Sequence, residues 1–113
     1  ENTPAFKWAL LGDSYAKLDK NEDALTVYSD WIKAQPQQRA SWLQKISLQE
    51  KNIDYSGALS TVEQALVRSP EDDQFNILRV NYLILIKKFE EVDKQSDALP
   101  RRASLEFIAL KID

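Results

Sequence analysis

The feature that most limits what this chain can become is a self-similarity of period 34: Trp8 recurs as Trp42, Pro36 as Pro70, and Ala24 as Ala58 and then as Val92. The strings NEDALTVYSDWIKAQP and YSGALSTVEQALVRSP align across the same offset. Several independent anchors at one spacing define a repeat. A unit of this length is one supersecondary element that buries its apolar face by stacking on its neighbours.

Each unit reads as two helices. Trp8, Leu11, Tyr15 and Leu18 fall on one helical stripe, Asp19-Lys20-Asn21 breaks it, and Ala24, Val27, Tyr28 and Trp31 form a second stripe that runs to Pro36. Thr3 is expected to cap the first helix and Pro4 to take its first position, where a missing N–H costs nothing. The second unit predicts helices over 39–51 and 55–68 around the turn Asn52-Ile53-Asp54, and the third predicts helices over 73–86 and 89–99. Beyond Pro100, Leu105, Ile108, Ala109 and Ile112 reproduce the spacing of Trp8, Leu11, Gly12 and Tyr15. That stripe predicts a seventh helix over 102–112, after a shortened third unit. Glycine (2) and proline (4) are scarce, so connections are short, and no segment shows strand alternation. The expected fold class is all-α, as one domain over 1–113 with repeats at 5–38, 39–72 and 73–101.

Composition then removes function classes. A net charge of -3 lacks the basic surplus that offsets nucleic-acid phosphate, so no nucleic-acid partner is expected. Without cysteine or histidine the chain has no disulfide, no thiolate or imidazole metal ligand, and neither of the commonest groups for nucleophile activation. Asp72-Asp73 and Glu90-Glu91 read as helix starts, where the helix dipole favours negative charge. The glycines do not form a phosphate loop, so neither an enzyme nor a cofactor is expected. No apolar run approaches the length of a membrane span, so no membrane insertion is expected either. Residue 1 is Glu and no methionine occurs, from which a processed chain or a piece of a longer one is expected.

The first unit, with Trp8, Leu11, Gly12, Tyr15, Ala24, Tyr28 and Pro36 at these spacings, resembles a tetratricopeptide repeat. That pattern is W-x2-L-G-x2-Y, then A-x3-F, then P. The second unit keeps Trp42, Ala58, Ala65 and Pro70, with Ile46 and Gln49 in place of the glycine and tyrosine. The third keeps Val92 at the alanine position and has Asn76 for tryptophan; a one-residue slip would instead place Phe75, Leu78 and Tyr82 on the aromatic pattern. The resemblance covers about residues 5–104 and implies a right-handed α-solenoid of stacked helical hairpins. It also explains Gly12, which costs roughly 1 kcal/mol of helix propensity against alanine. The glycine is expected to let its helix approach Ala24 closely, with Trp8, Tyr15 and Tyr28 filling the space around the contact.

The function the resemblance implies is protein–protein interaction, with a segment of another protein held in the concave groove lined by the first helix of each unit. Carried onto this chain, the groove positions are Phe6, Ala9, Asp13, Ala16 and Lys17, then Ala40, Leu43, Ser47, Glu50 and Lys51, then Gln74, Ile77, Asn81, Ile84 and Leu85. They set an apolar seam (Phe6, Leu43, Ile77) beside a polar row (Asp13, Ser47, Asn81), which suits an extended or helical peptide. The alternative is a structural spacer or oligomerisation segment that packs on neighbouring repeats of a larger chain. Phe107, off the stripe of the expected last helix, adds self-association through that helix as an expectation.

Overall fold

The computed structural model describes residues 3–95. Five helices occupy them: α1 Ala5–Lys17, α2 Asn21–Ala34, α3 Arg39–Lys51, α4 Tyr55–Arg68 and α5 Asp73–Gln95. The described residues are therefore all-α. The repeat is visible in the backbone, because α1, α3 and α5 start at 5, 39 and 73, and α2 and α4 at 21 and 55, each one repeat period apart. Both helices expected in the second unit have the expected bounds.

Each helix packs on the next in sequence, and α1 also touches α3. The core is consequently divided into two clusters, each centred on the second helix of a unit. In one, Ala24, Tyr28 and Trp31 of α2 meet Leu48 of α3, with Trp8 and Tyr15 of α1 packed alongside. In the other, Ala58, Val62 and Ala65 of α4 lie between Trp42 and Ile46 of α3 and Phe75 and Tyr82 of α5. The connections between units are stitched by a repeated bond. Trp42 Nε1 donates to the Pro36 carbonyl at 2.9 Å, and one period later Asn76 Nδ2 donates to the Pro70 carbonyl at 3.1 Å. Asn76 thus replaces the indole N–H while giving up its apolar bulk.

Gly12 is buried, but the group over it is Tyr28 rather than Ala24. A Cβ built on Gly12 would stand 2.2 Å from Tyr28 Cε1 and 2.7 Å from Cζ. The second unit solves the same packing problem with different volumes, Ile46 and Val62 at the corresponding positions, both in the core. A glycine under a tyrosine and an isoleucine beside a valine are two ways to fill one inter-helix space at interior density. Gln49, which stands where the first unit has Tyr15, is also buried, and its Oε1 accepts from Thr61 Oγ1 at 2.8 Å.

Several expectations change. The N-cap of α1 is Pro4, without a side-chain cap bond, and Thr3 instead uses its carbonyl to accept from Gln35 Nε2 at 2.5 Å. The expected break between 86 and 89 is absent, since α5 is one helix through Gln95, so Lys87-Lys88 lie inside it and Glu90-Glu91 do not start a helix. The comparison with the other units is direct. Asp19 and Ile53 reverse the chain with φ of 60° and 59°, and Lys20 N–H and Asp54 N–H close back onto the Tyr15 and Gln49 carbonyls. Lys87 stands at the position of the third unit that corresponds to Ile53, and it stays helical. Lysine is a good helix former, and the described residues place no second helix of this unit against α5 to hold a reversal there. Beyond the missing turn, Phe89 packs on Tyr55 with ring centroids 5.7 Å apart. The end of the expected sixth helix, 96–99, and the whole of the expected helix over 102–112 lie outside the described residues.

The register of the third unit combines both readings. Its backbone keeps the repeat spacing and Asn76 keeps the bond of Trp42, yet the buried stripe is Phe75, Leu78 and Tyr82. The reason is the number of neighbours. Helix α3 lies between α2 and α4 and buries two faces, Leu48 in one cluster and Trp42 with Ile46 in the other. Among the described residues α5 packs chiefly on α4, with Phe75 and Tyr82 reaching α3 from that same side, so it buries only one such face.

Candidate partner-binding face

The first helices of the three units leave two clefts between them. The first, about 210 Å³, is lined by Asp13, Ala16, Lys17, Tyr28, Gln44, Ser47, Leu48 and Lys51, from α1, α2 and α3. The second, about 310 Å³, is lined by Glu50, Leu78, Asn81, Tyr82, Ile84, Leu85 and Lys88, from α3 and α5. Helix α3 therefore contributes a wall to each, with Ser47 and Lys51 facing one and Glu50 the other.

A tyrosine–carboxylate pair floors each cleft. The buried Tyr28 donates its hydroxyl to Asp13, and the buried Tyr82 donates to Glu50 Oε1 at 2.5 Å. Burial, followed by the hydrogen bond to the carboxylate, pushes both phenols well above the usual tyrosine range, so each remains a neutral donor. These bonds fix Asp13 and Glu50 as acceptors held against the wall. On the rims stand Lys17, Lys51 and Lys88, none of which forms an ion pair with a described residue. The clefts thus offer fixed acceptors, cationic groups and the aliphatic carbons of Ala16, Leu48, Ile84 and Leu85.

Of the positions carried over from the repeat pattern, the first cleft brings together Asp13, Ala16, Lys17, Ser47 and Lys51, and the second brings together Glu50, Asn81, Ile84 and Leu85. The apolar seam is not gathered in the same way. Phe6 and Ile77 are well exposed, at 66% and 60%, but Leu43 is half-buried against the second core cluster and Ala9 against the first. Gln74 is exposed at the start of α5 and lines neither cleft. Sequence reasoning missed Lys88, one helical turn from a position it named, and the two tyrosines, assigned to packing alone. Their hydroxyls were the available signal, because a buried phenol needs an acceptor.

The joint between the second and third units lies at one end of this face. Arg39 holds Asp72 with two bonds, Nε to Oδ2 at 3.1 Å and an η-nitrogen to Oδ1 at 2.7 Å, and its guanidinium lies 4.8 Å from the Phe75 ring centroid. Asp72 Oδ1 also accepts from Phe75 N–H at 3.0 Å, so one carboxylate both caps α5 and ties it to the start of α3. Among the described residues no group of histidine, cysteine or carboxylate side chains is placed to hold a metal ion, and no helix is long and apolar enough to cross a membrane. Compared with family models, curated proteins and solved structures, the chain matches none.

Proposed function

We propose that this chain is a tetratricopeptide-type helical-repeat module, stacked as an α-solenoid, that binds a peptide segment of a partner protein along its first helices. One observation carries the reading: two clefts in line, sharing α3 as a wall, each with a tyrosine-anchored carboxylate at its floor and lysines at its rim. The regular recurrence of helix starts supports the solenoid, because equal units stacked in sequence place equivalent faces side by side. A ligand spanning both clefts would present backbone or side-chain donors to Asp13 and Glu50. Its apolar side chains would lie on Ala16, Leu48, Ile84 and Leu85. That pattern fits an extended or helical peptide with an apolar stripe flanked by polar groups.

The test is selection of peptides from a displayed random library on the full chain, followed by calorimetry on the chain and on Ser47→Trp. Ser47 is exposed at the first cleft, so the indole fills the cleft without entering the core. Selected peptides should bind in the micromolar range and lose at least about tenfold on Ser47→Trp at unchanged helicity, a difference of about 1.4 kcal/mol. Failure to select any ligand, or equal binding to the variant, would reject this face as the binding surface.

A further inference from the structure

A further cavity, of about 310 Å³, lies where the turn between α3 and α4 meets the later part of α5. Tyr55 and Phe89 line it together with Asp54 and Glu90, two exposed carboxylates, and among the described residues no basic side chain does. It forms because α5 runs through the place where the earlier units reverse, which carries Ile86, Phe89 and Glu90 alongside the start of α4. The Tyr55 ring is held between two others, with its centroid 6.1 Å from that of Tyr82 and 5.7 Å from that of Phe89. One period earlier the places of Ile53, Asp54 and Tyr55 hold Asp19, Lys20 and Asn21. The joined acid and aromatic ring therefore belong to the second unit and not to the first.

We infer that this cavity binds the guanidinium of an arginine side chain presented by a partner polypeptide. The chain itself contains the completed form of such a site. At the start of α5, Asp72 caps the helix through the Phe75 N–H, and Arg39 is bonded twice to that carboxylate with its guanidinium 4.8 Å from the Phe75 ring centroid. At the start of α4, Asp54 Oδ1 caps the helix through the Gly57 N–H at 3.0 Å, and the next residue is the aromatic Tyr55. The cap bond uses Oδ1 and leaves Oδ2 as an acceptor. Carboxylate and ring are again side by side, but no described arginine lies on them. A flat ion that is always charged, stacks on rings and donates from several N–H groups suits this wall better than a compact ammonium does. Ile53, 63% exposed, and the half-buried Ile86 add apolar surface for the methylene stem.

This inference stands apart from the binding proposal, because the cavity shares no lining residue with either cleft. The test is an NMR titration of the full chain with three amino acids, each N-acetylated and amidated: arginine, lysine and citrulline, which keeps the shape of arginine without its charge. The reporters are the methyl groups of Ile53 and Ile86 and the ring of Phe89. Arginine should shift them saturably with millimolar affinity, lysine should bind more weakly, and citrulline should leave them in place. Glu90→Gln removes one exposed charge, and Asp54→Asn removes the other while keeping a residue that caps helices. Each should weaken arginine about two- to fivefold, the range of an exposed ion pair, at unchanged helicity. Glu22→Gln, an exposed acid on α2, should change nothing. Equal shifts with citrulline, lysine as tight as arginine, or full affinity in both charge variants would overturn the assignment. So would a response confined to Leu78, Ile84 and Leu85 of the second cleft. None of these measurements depends on finding a peptide for the clefts, so the two proposals fail separately.

Discussion

Placing a side chain at Gly12 tests the packing argument most sharply, because two known effects oppose one another there. Alanine is favoured over glycine in a helix by roughly 1 kcal/mol, so on propensity alone Gly12→Ala stabilises α1. The new Cβ, however, would lie 2.2, 2.7 and 2.8 Å from three ring atoms of Tyr28, and that ring is only 2% exposed, with its hydroxyl bonded to Asp13. The ring cannot yield without moving α2 or giving up that bond. Overpacking of this kind costs about 1–3 kcal/mol, and losing a hydrogen bond to a charged acceptor costs about 1.5–3 kcal/mol. The net expectation for Gly12→Ala is a loss of about 1–3 kcal/mol, read as a fall of several degrees in Tm by circular dichroism and as a lower urea midpoint. The second unit supplies the rescue. Gly12→Ile with Tyr28→Val installs the Ile46 and Val62 pair in the first unit, and the double variant should be more stable than the sum of the two single losses by at least about 1 kcal/mol. A higher Tm for Gly12→Ala, or strict additivity in the cycle, would show that Tyr28 has room to move and that the packing argument fails.

Asp72→Ala removes a helix cap and the tie to Arg39, and should cost about 1–2 kcal/mol, mostly from the cap because Arg39 is largely solvated. The Arg39 bond, followed by the Phe75 N–H, holds the Asp72 carboxyl below its ordinary range. Its contribution is therefore present above the unfolded carboxylate value and is lost as pH falls below about 4; Asp72→Asn should flatten that acid limb in a Tm-against-pH series. Tyr28 and Tyr82 have raised values in the folded chain, so the stability they contribute is complete below about pH 10 and is lost as pH rises above it. An absorbance titration should show these two phenols ionising only with unfolding, and Tyr28→Phe should remove one of the late-titrating groups. Gly57→Ala should change stability by less than about 1 kcal/mol, although a Cβ there would lie 2.2 Å from Asp54 Oδ2, because the exposed Asp54 can rotate away and the lost cap bond is offset by propensity.

The positions of α2, α3 and α4 were legible in the sequence because local chemistry sets them. Pro36 and Pro70 interrupt the helices, Asp54 caps α4, and the apolar stripes repeat at one period, so the helix starts at 39 and 55 need no distant contact to be foreseen. Which groups meet across the units was a matter of tertiary structure. The stripe named Gly12, Ala24 and Tyr28, but only the packing of α1 on α2 laid Tyr28 over the glycine and turned its hydroxyl to Asp13. Likewise Tyr82 and Glu50, far apart in sequence, were brought together across a cleft by the packing of both α3 and α5 on α4. The reversals show the division most clearly. Asp19 adopts φ 60° at small cost, whereas the β-branched Ile53 is a poor residue for φ 59°, and its turn is held by α4 packing back on α3. At Lys87 the described residues provide no such returning helix, and the local preference of lysine for continued helix wins. Where local propensity and the repeat pattern agree, sequence was sufficient; where they disagree, the presence or absence of a packing neighbour decided the fold.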